Sequence, residues 1–149
     1  METVKIRCKS LCVGDWVANR NGSPMQIVAV DEDNAYACEG NEERPWIFGD
    51  DEGYEPQPII LTPEILEKNG WKEYGYFNPS YAMYDFCTID ENGYHLEWKR
   101  GTLSISYDYN KDNNDTYFDD NLIPIKYVHQ LQQILRILGL NELADNFKI

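Results

Sequence analysis

Three patterns in the sequence predict an α+β fold. Short apolar–polar alternations broken by turn residues fill the stretch before residue 39. A sharply capped helix then leads into a three-strand antiparallel meander, and an amphipathic helix lies near residue 130. Side chains repeating every second residue fit half-buried strands, and recurrence near 3.6 residues fits a helix packed by one face. The expected architecture is a small bent antiparallel sheet or barrel, a short helix, the meander, and the C-terminal helix packed on it. Residues 1–149 are expected to form a single compact domain, with a β-rich part at 1–60 and an α+β part at 61–149.

At the N-terminus Val4, Ile6 and Cys8 alternate with Lys5, Arg7 and Lys9, a half-buried strand with a basic outer face. Leu11–Asp15 turns the chain into Trp16-Val17-Ala18, and Asn21-Gly22 supplies the residues that best tolerate positive φ in a hairpin. Met25–Val30 is the return strand, with Pro24 at its start, where a missing N–H does no harm. Ala35–Cys38 follows a further turn. Residues 39–58 read as loop, with Trp46-Ile47-Phe48 as an apolar island among acids.

Thr62, Pro63 and Glu64 open a helix over 63–69 and Gly70 closes it, because each residue type matches the unsatisfied backbone or dipole at its position. The meander follows as Tyr84–Ile89, Tyr94–Lys99 and Thr102–Tyr107. Tyr94, Leu96 and Trp98 share a face to be covered, and His95, Glu97 and Lys99 the wet one. In the last helix, about residues 125–138, Tyr127, Val128, Leu131, Ile134, Leu135 and Leu138 fall on one apolar arc. Lys126, His129, Gln130, Gln132, Gln133 and Arg136 lie outside it and are expected on the wet side.

An apolar fraction of 42% and an aromatic fraction of 13% in 149 residues belong to a folded chain, not an acidic disordered one. The longest apolar runs, such as Ile59-Ile60-Leu61, are far too short to span a bilayer, and METVKIRCKS lacks the apolar stretch of a secretory signal. A cytoplasmic protein without membrane association is expected. Cys8, Cys12, Cys38 and Cys87 then read as thiols and not as a disulfide framework.

The net charge is −13, and residues 31–60 carry much of it, with ten acids against Arg44. Such a surface repels nucleic-acid backbones, so no direct nucleic-acid binding is expected; Lys5, Arg7 and Lys9 make too small a basic patch to reverse this.

Chemistry-bearing patterns are sparse. Neither His lies near a Cys in sequence, which argues against zinc. Oxygen-bearing residues from Asp108 to Asp119 are spaced like a calcium loop, but Asp115 stands where an apolar residue is needed and the flanks read as strands. An Asn/Asp-rich hairpin explains the same residues. No phosphate-binding glycine loop, nucleophile elbow or H-E-x-x-H helix occurs, so no catalytic residue, metal or cofactor is assigned. His95 with Glu97, or Asp85, would serve an enzyme only if folding enclosed them in a pocket.

Leu11-Cys12-Val13-Gly14-Asp15-Trp16-Val17, then Glu55–Gly70, then Ile125–Gln132 together resemble a group of small, uncharacterised bacterial and bacteriophage proteins. The first 40 residues are similar to an SH3-type barrel, in which G-D-x-V opens the strand before a hairpin. The resemblance implies a cytosolic setting and carries no catalytic role.

The leading expectation is a non-enzymatic, acidic module that binds a basic protein or peptide. Its candidate contact residues are Glu42, Glu43, Asp50, Asp51, Glu52, Tyr54 and Glu55, beside the loop aromatics Trp16, Trp46, Tyr74, Tyr76, Phe77 and Tyr81, which could take a cation or peptide on a ring face. The alternatives are an acidic nucleic-acid mimic that inhibits a DNA-binding host protein, and an enzyme whose site assembles only in space. Oligomeric state is left open by the sequence.

Overall fold

The computed structural model describes residues 5–38, 45–78, 81–110 and 115–149. The α+β class expected from the sequence is the class observed: two antiparallel sheets with few helices. The chain divides into two compact units. Unit 1 holds residues 1–60, 127–147 and 149, and unit 2 holds residues 61–126 and 148.

Unit 1 carries a four-stranded sheet in the order β1 (Trp16–Ala18), β2 (Pro24–Val30), β3 (Ala35–Cys38), β4 (Trp46–Phe48). Its core joins Ile6, Cys8, Leu11, Val17, Met25, Ile27, Ala35, Ala37 and Phe48. Over the described residues 5–10 the expected first strand is absent. Residues 8–10 make a 3-10 turn instead, although Ile6 and Cys8 are buried and Lys5, Arg7 and Lys9 exposed, as alternation requires. An extended segment can sort its side chains in this way without a ladder partner.

The hairpin β1–β2 closes with a five-residue loop, 19–23, because Ala18 and Pro24 are the last register partners. Asn19 builds this loop: its Oδ1 accepts the N–H groups of Asn21 and Ser23, at 2.9 and 3.0 Å. Gln57 pairs with Ala18 through reciprocal backbone bonds of 2.8 Å, giving β1 a partner on its outer side.

Unit 2 holds α1 (Pro63–Lys68) and a five-stranded meander in sequential order: β5 (Lys72–Asn78), β6 (Tyr81–Glu91), β7 (Tyr94–Lys99), β8 (Thr102–Asn110) and β9 (Asp115–Pro124). The Thr62 hydroxyl accepts the Ile65 N–H. Gly70 N–H reaches Glu67 C=O, and Trp71 N–H reaches Leu66 C=O, the paired bonds that seal a helix end at a left-handed glycine. Asn92-Gly93 and Arg100-Gly101 form two-residue turns with positive φ at both positions, which matches the twist of the strands they join.

The meander has two more strands than the sequence suggested. β5 is rich in Tyr and Phe that read as loop aromatics, and the Asp- and Asn-rich β9 disfavours a strand on propensity alone. Asn110 pairs with Asp115, so the Asn/Asp-rich stretch is a hairpin; its tip and its side chains lie outside the described residues.

The last helices are α2 (Val128–Ile137) and α3 (Asn141–Asp145). They belong to unit 1, where α2 packs on β1 and on α3. The buried side chains of α2 are Val128, His129, Leu131, Gln132 and Leu135, an arc turned by roughly 80° from the apolar one, at about 100° per residue. The rotation follows from polar partners. Gln132, fully buried, accepts the Trp16 N–H at 2.8 Å and donates to Gly14 C=O and Ala144 C=O at 2.8 and 3.0 Å. Asp15, equally buried, receives Arg136 Nη1 at 2.5 Å on one oxygen, and Gln133 Nε2 and Cys12 N–H on the other. No helix among the described residues is long and apolar enough to cross a membrane.

Candidate peptide-binding cleft

Within unit 1, strand β4 and the turn after it shape a cleft of about 300 Å³, lined by Arg20, Pro45, Trp46, Ile47, Phe48, Gly53, Tyr54 and Glu55. The β-branched and aromatic residues of β4 suit a pleated strand, and its register against β3 places Trp46 opposite Ala37 and Phe48 opposite Ala35. Small alanines there leave room for the rings. Phe48 is buried at 1% exposure, whereas Trp46 is half-buried, its ring centroid 6.4 Å from that of Phe48. Trp46 is thus both a flank of the core and a wall of the cleft.

The turn that follows is pinned by its backbone. Gly49 N–H donates to Tyr54 C=O at 3.0 Å, Tyr54 N–H to Asp51 C=O at 3.1 Å, and Gly53, at φ +89°, donates its N–H to the Glu55 carboxylate at 2.9 Å. These bonds hold Tyr54 beside β4 with its ring in solvent, 62% exposed, and Ile47 is 56% exposed. On another wall, the Arg20 guanidinium carbon sits 5.9 Å from the Trp46 ring centroid, within cation–π range.

The structure brings two of the expected contact residues, Tyr54 and Glu55, into the cleft, and leaves Asp51 and Glu52 exposed in the adjoining turn. Asp50 has a structural bond: its Oδ1 accepts the Cys8 N–H at 2.9 Å and ties the turn to the N-terminal segment. Together with burial, which is the larger cause, Asp50 pushes the Cys8 thiol up to about 11. Glu42 and Glu43 lie outside the described residues. Sequence reasoning missed Arg20, whose place over Trp46 depends on a loop and a strand 26 positions apart in the chain.

The other candidates resolve differently. His95 Nδ1 lies 2.6 Å from Asp90 Oδ1, its register partner across β6–β7, and not beside Glu97, which faces Thr88 and Ser104. Both members of the pair are solvated, at 39% and 79% exposure, so this is a cross-strand pair on a wet face. The side chains of Asp85, Tyr74, Tyr76, Phe77 and Tyr81 lie outside the described residues. Trp16 is engaged internally, its Nε1–H donating to Phe147 C=O at 2.7 Å. Cys12 is exposed, Cys38 is half-buried, and Cys8 and Cys87 are buried; the four form no disulfide. Among the described residues no three His, Cys, Asp or Glu side chains gather as a metal site would require.

His129, expected on the wet side, is 8% exposed and stacked on Tyr127 at 6.0 Å, with its Nδ1 unpartnered among the described residues. Burial lowers its pKa, against a smaller opposing pull from Asp15.

Comparison with protein families, curated proteins and solved structures returns no match.

Proposed function

We propose that this protein is a non-enzymatic, acidic interaction module that binds a basic protein or peptide at the cleft beside β4. The observation that carries the reading is the placement of solvent-facing Tyr54 and Ile47 next to Glu55, with Asp51 and Glu52 exposed in the same turn. An exposed aromatic beside carboxylates offers a basic peptide two favourable contacts at once, ring-face attraction and charge pairing. A volume of about 300 Å³ is at the small end for ligand pockets, which suits one or two inserted side chains better than a whole metabolite. A cytoplasmic location belongs to the same reading.

The test is binding of a fluorescent decapeptide of alternating lysine and arginine to the full chain at low and high salt. Asp51→Asn, Glu52→Gln and Glu55→Gln combined should weaken binding at low salt by about tenfold or more, while circular dichroism melts stay level, since surface charges contribute little to stability. Affinity indifferent both to salt and to the triple substitution would refute the reading.

A further inference from the structure

The cleft already holds a cation, and that cation is the protein's own. Arg20 is exposed, is in no ion pair among the described residues, and places its guanidinium over the Trp46 ring. Its backbone is fixed. Asn19, only 4% exposed, accepts two N–H groups through its side chain and the Gly22 N–H through its carbonyl, and its Nδ2 reaches Met25 Sδ at 3.5 Å. Trp46 is fixed from beneath by the core cluster that it packs against. The Arg20 side chain is long and solvent-exposed, and it lies against the Trp46 ring. The arrangement is therefore a ring packed on the core, a carboxylate at Glu55 in the same cleft, and an exposed guanidinium over the ring.

We propose that Arg20 is an internal occupant of a guanidinium site, and that an arginine of the bound basic peptide displaces it from Trp46. The proposal rests on the reading of the cleft as the peptide site. Arginine is favoured over lysine because a planar, weakly hydrated guanidinium stacks on an aromatic face and can pair with a carboxylate in the same plane, whereas an ammonium is a compact, strongly hydrated charge. Displacement is an exchange of like for like, so the ring adds little net affinity in the native protein and the carboxylates supply most of it. Removing the occupant converts exchange into plain binding. The gain expected from one exposed cation–π contact is about two- to fivefold in affinity.

The experiment follows the Trp46 indole N–H by nuclear magnetic resonance, assigned with Trp46→Phe, in the full chain. The probes are two acetylated, amidated pentapeptides, Gly-Arg-Gly-Arg-Gly and Gly-Lys-Gly-Lys-Gly, titrated into the native protein, Arg20→Ala and Lys9→Ala. Lys9 is exposed and does not line the cleft, so it controls for the loss of one positive charge. The expected result is a Trp46 shift in every protein, tighter arginine-peptide binding to Arg20→Ala by about two- to fivefold, and a smaller gain with the lysine peptide and with Lys9→Ala. If Trp46 shifts but Arg20→Ala binds no tighter than Lys9→Ala, the occupant role is overturned and the cleft remains a peptide site. If Trp46 is unmoved by either peptide in every protein, the occupant role falls together with the cleft reading.

Discussion

Gln132→Leu keeps the volume of a fully buried side chain and removes three hydrogen bonds. The three are not equivalent. Gly14 C=O keeps a bond from Gln26 Nε2 at 3.2 Å, and Ala144 C=O keeps the N–H of Phe147 at 3.4 Å, so each retains another partner. The Trp16 N–H loses the side-chain acceptor that it points at. An orphaned buried N–H costs about 1–3 kcal/mol, and each of the two replaceable bonds about 0.5–1.5 kcal/mol, which together give about 2–6 kcal/mol. Urea denaturation should show a midpoint lower by about 1–3 M for a slope of about 2 kcal/mol per molar. Amide exchange at Trp16 should quicken in step. Gln132→Glu separates acceptor from donor: it retains an oxygen for Trp16 but faces a carboxylate to two carbonyls, so it should be the worse variant at neutral pH and recover on acidification. A loss below about 1 kcal/mol for Gln132→Leu, with Trp16 exchange unchanged, would refute the claim that this side chain sets the rotation of α2.

Four further outcomes are expected. Leu131→Ala should cost about 2–5 kcal/mol by chemical denaturation, because Leu131 is fully buried on the same helix and truncation leaves a cavity. His129, with its pKa held below the ordinary 6.5 by burial, binds fewer protons folded than unfolded; its contribution is complete above that value and is lost as pH falls through the depressed folded pKa. His129→Phe should therefore flatten the fall of the urea midpoint between neutral and mildly acid pH relative to the native chain. Iodoacetamide followed by mass spectrometry should modify exposed Cys12 first, leaving buried Cys8, with its pKa near 11, and Cys87 unmodified until the chain unfolds. Gly93→Ala should destabilise unit 2 by about 1–2 kcal/mol or more in thermal melts, since φ is +85° there and a Cβ would stand 3.1 Å from the Tyr107 ring.

What the sequence disclosed was local chemistry. Helix α1 was legible to within a residue because Thr62, Pro63, Glu64 and Gly70 each answer a need of the helix end beside them. The turn at Arg100-Gly101 falls in the expected gap between Tyr94–Lys99 and Thr102–Tyr107, whereas β6 runs two residues beyond the expected Ile89, to Glu91. The docking of α2 was illegible, since it depends on Gln132, Gln133 and Arg136 finding Trp16, Gly14 and Asp15 more than 110 residues away. A polar residue in a helix looks wet until its partner is known. The cleft divides the same way: Tyr54 and Glu55 stood out within one acidic stretch, whereas Arg20 drew no notice in a hairpin loop remote in sequence.

The chain order of unit 1 has a consequence for its synthesis. Residues 61–126 stand between the four-stranded sheet and the helices that complete its unit. On a ribosome adding about 5–20 residues per second, the sheet waits about 4–17 s for α2 and α3 after residue 60 is made. Through that interval the Trp16 N–H has no Gln132, and Asp15 is a carboxylate without its arginine. The meander has all its strands in hand before then, each beside its sequence neighbour. The part of the polypeptide made first is thus the part finished last, and its nascent form presents an acidic, half-clad sheet to whatever chaperones attend the exit tunnel.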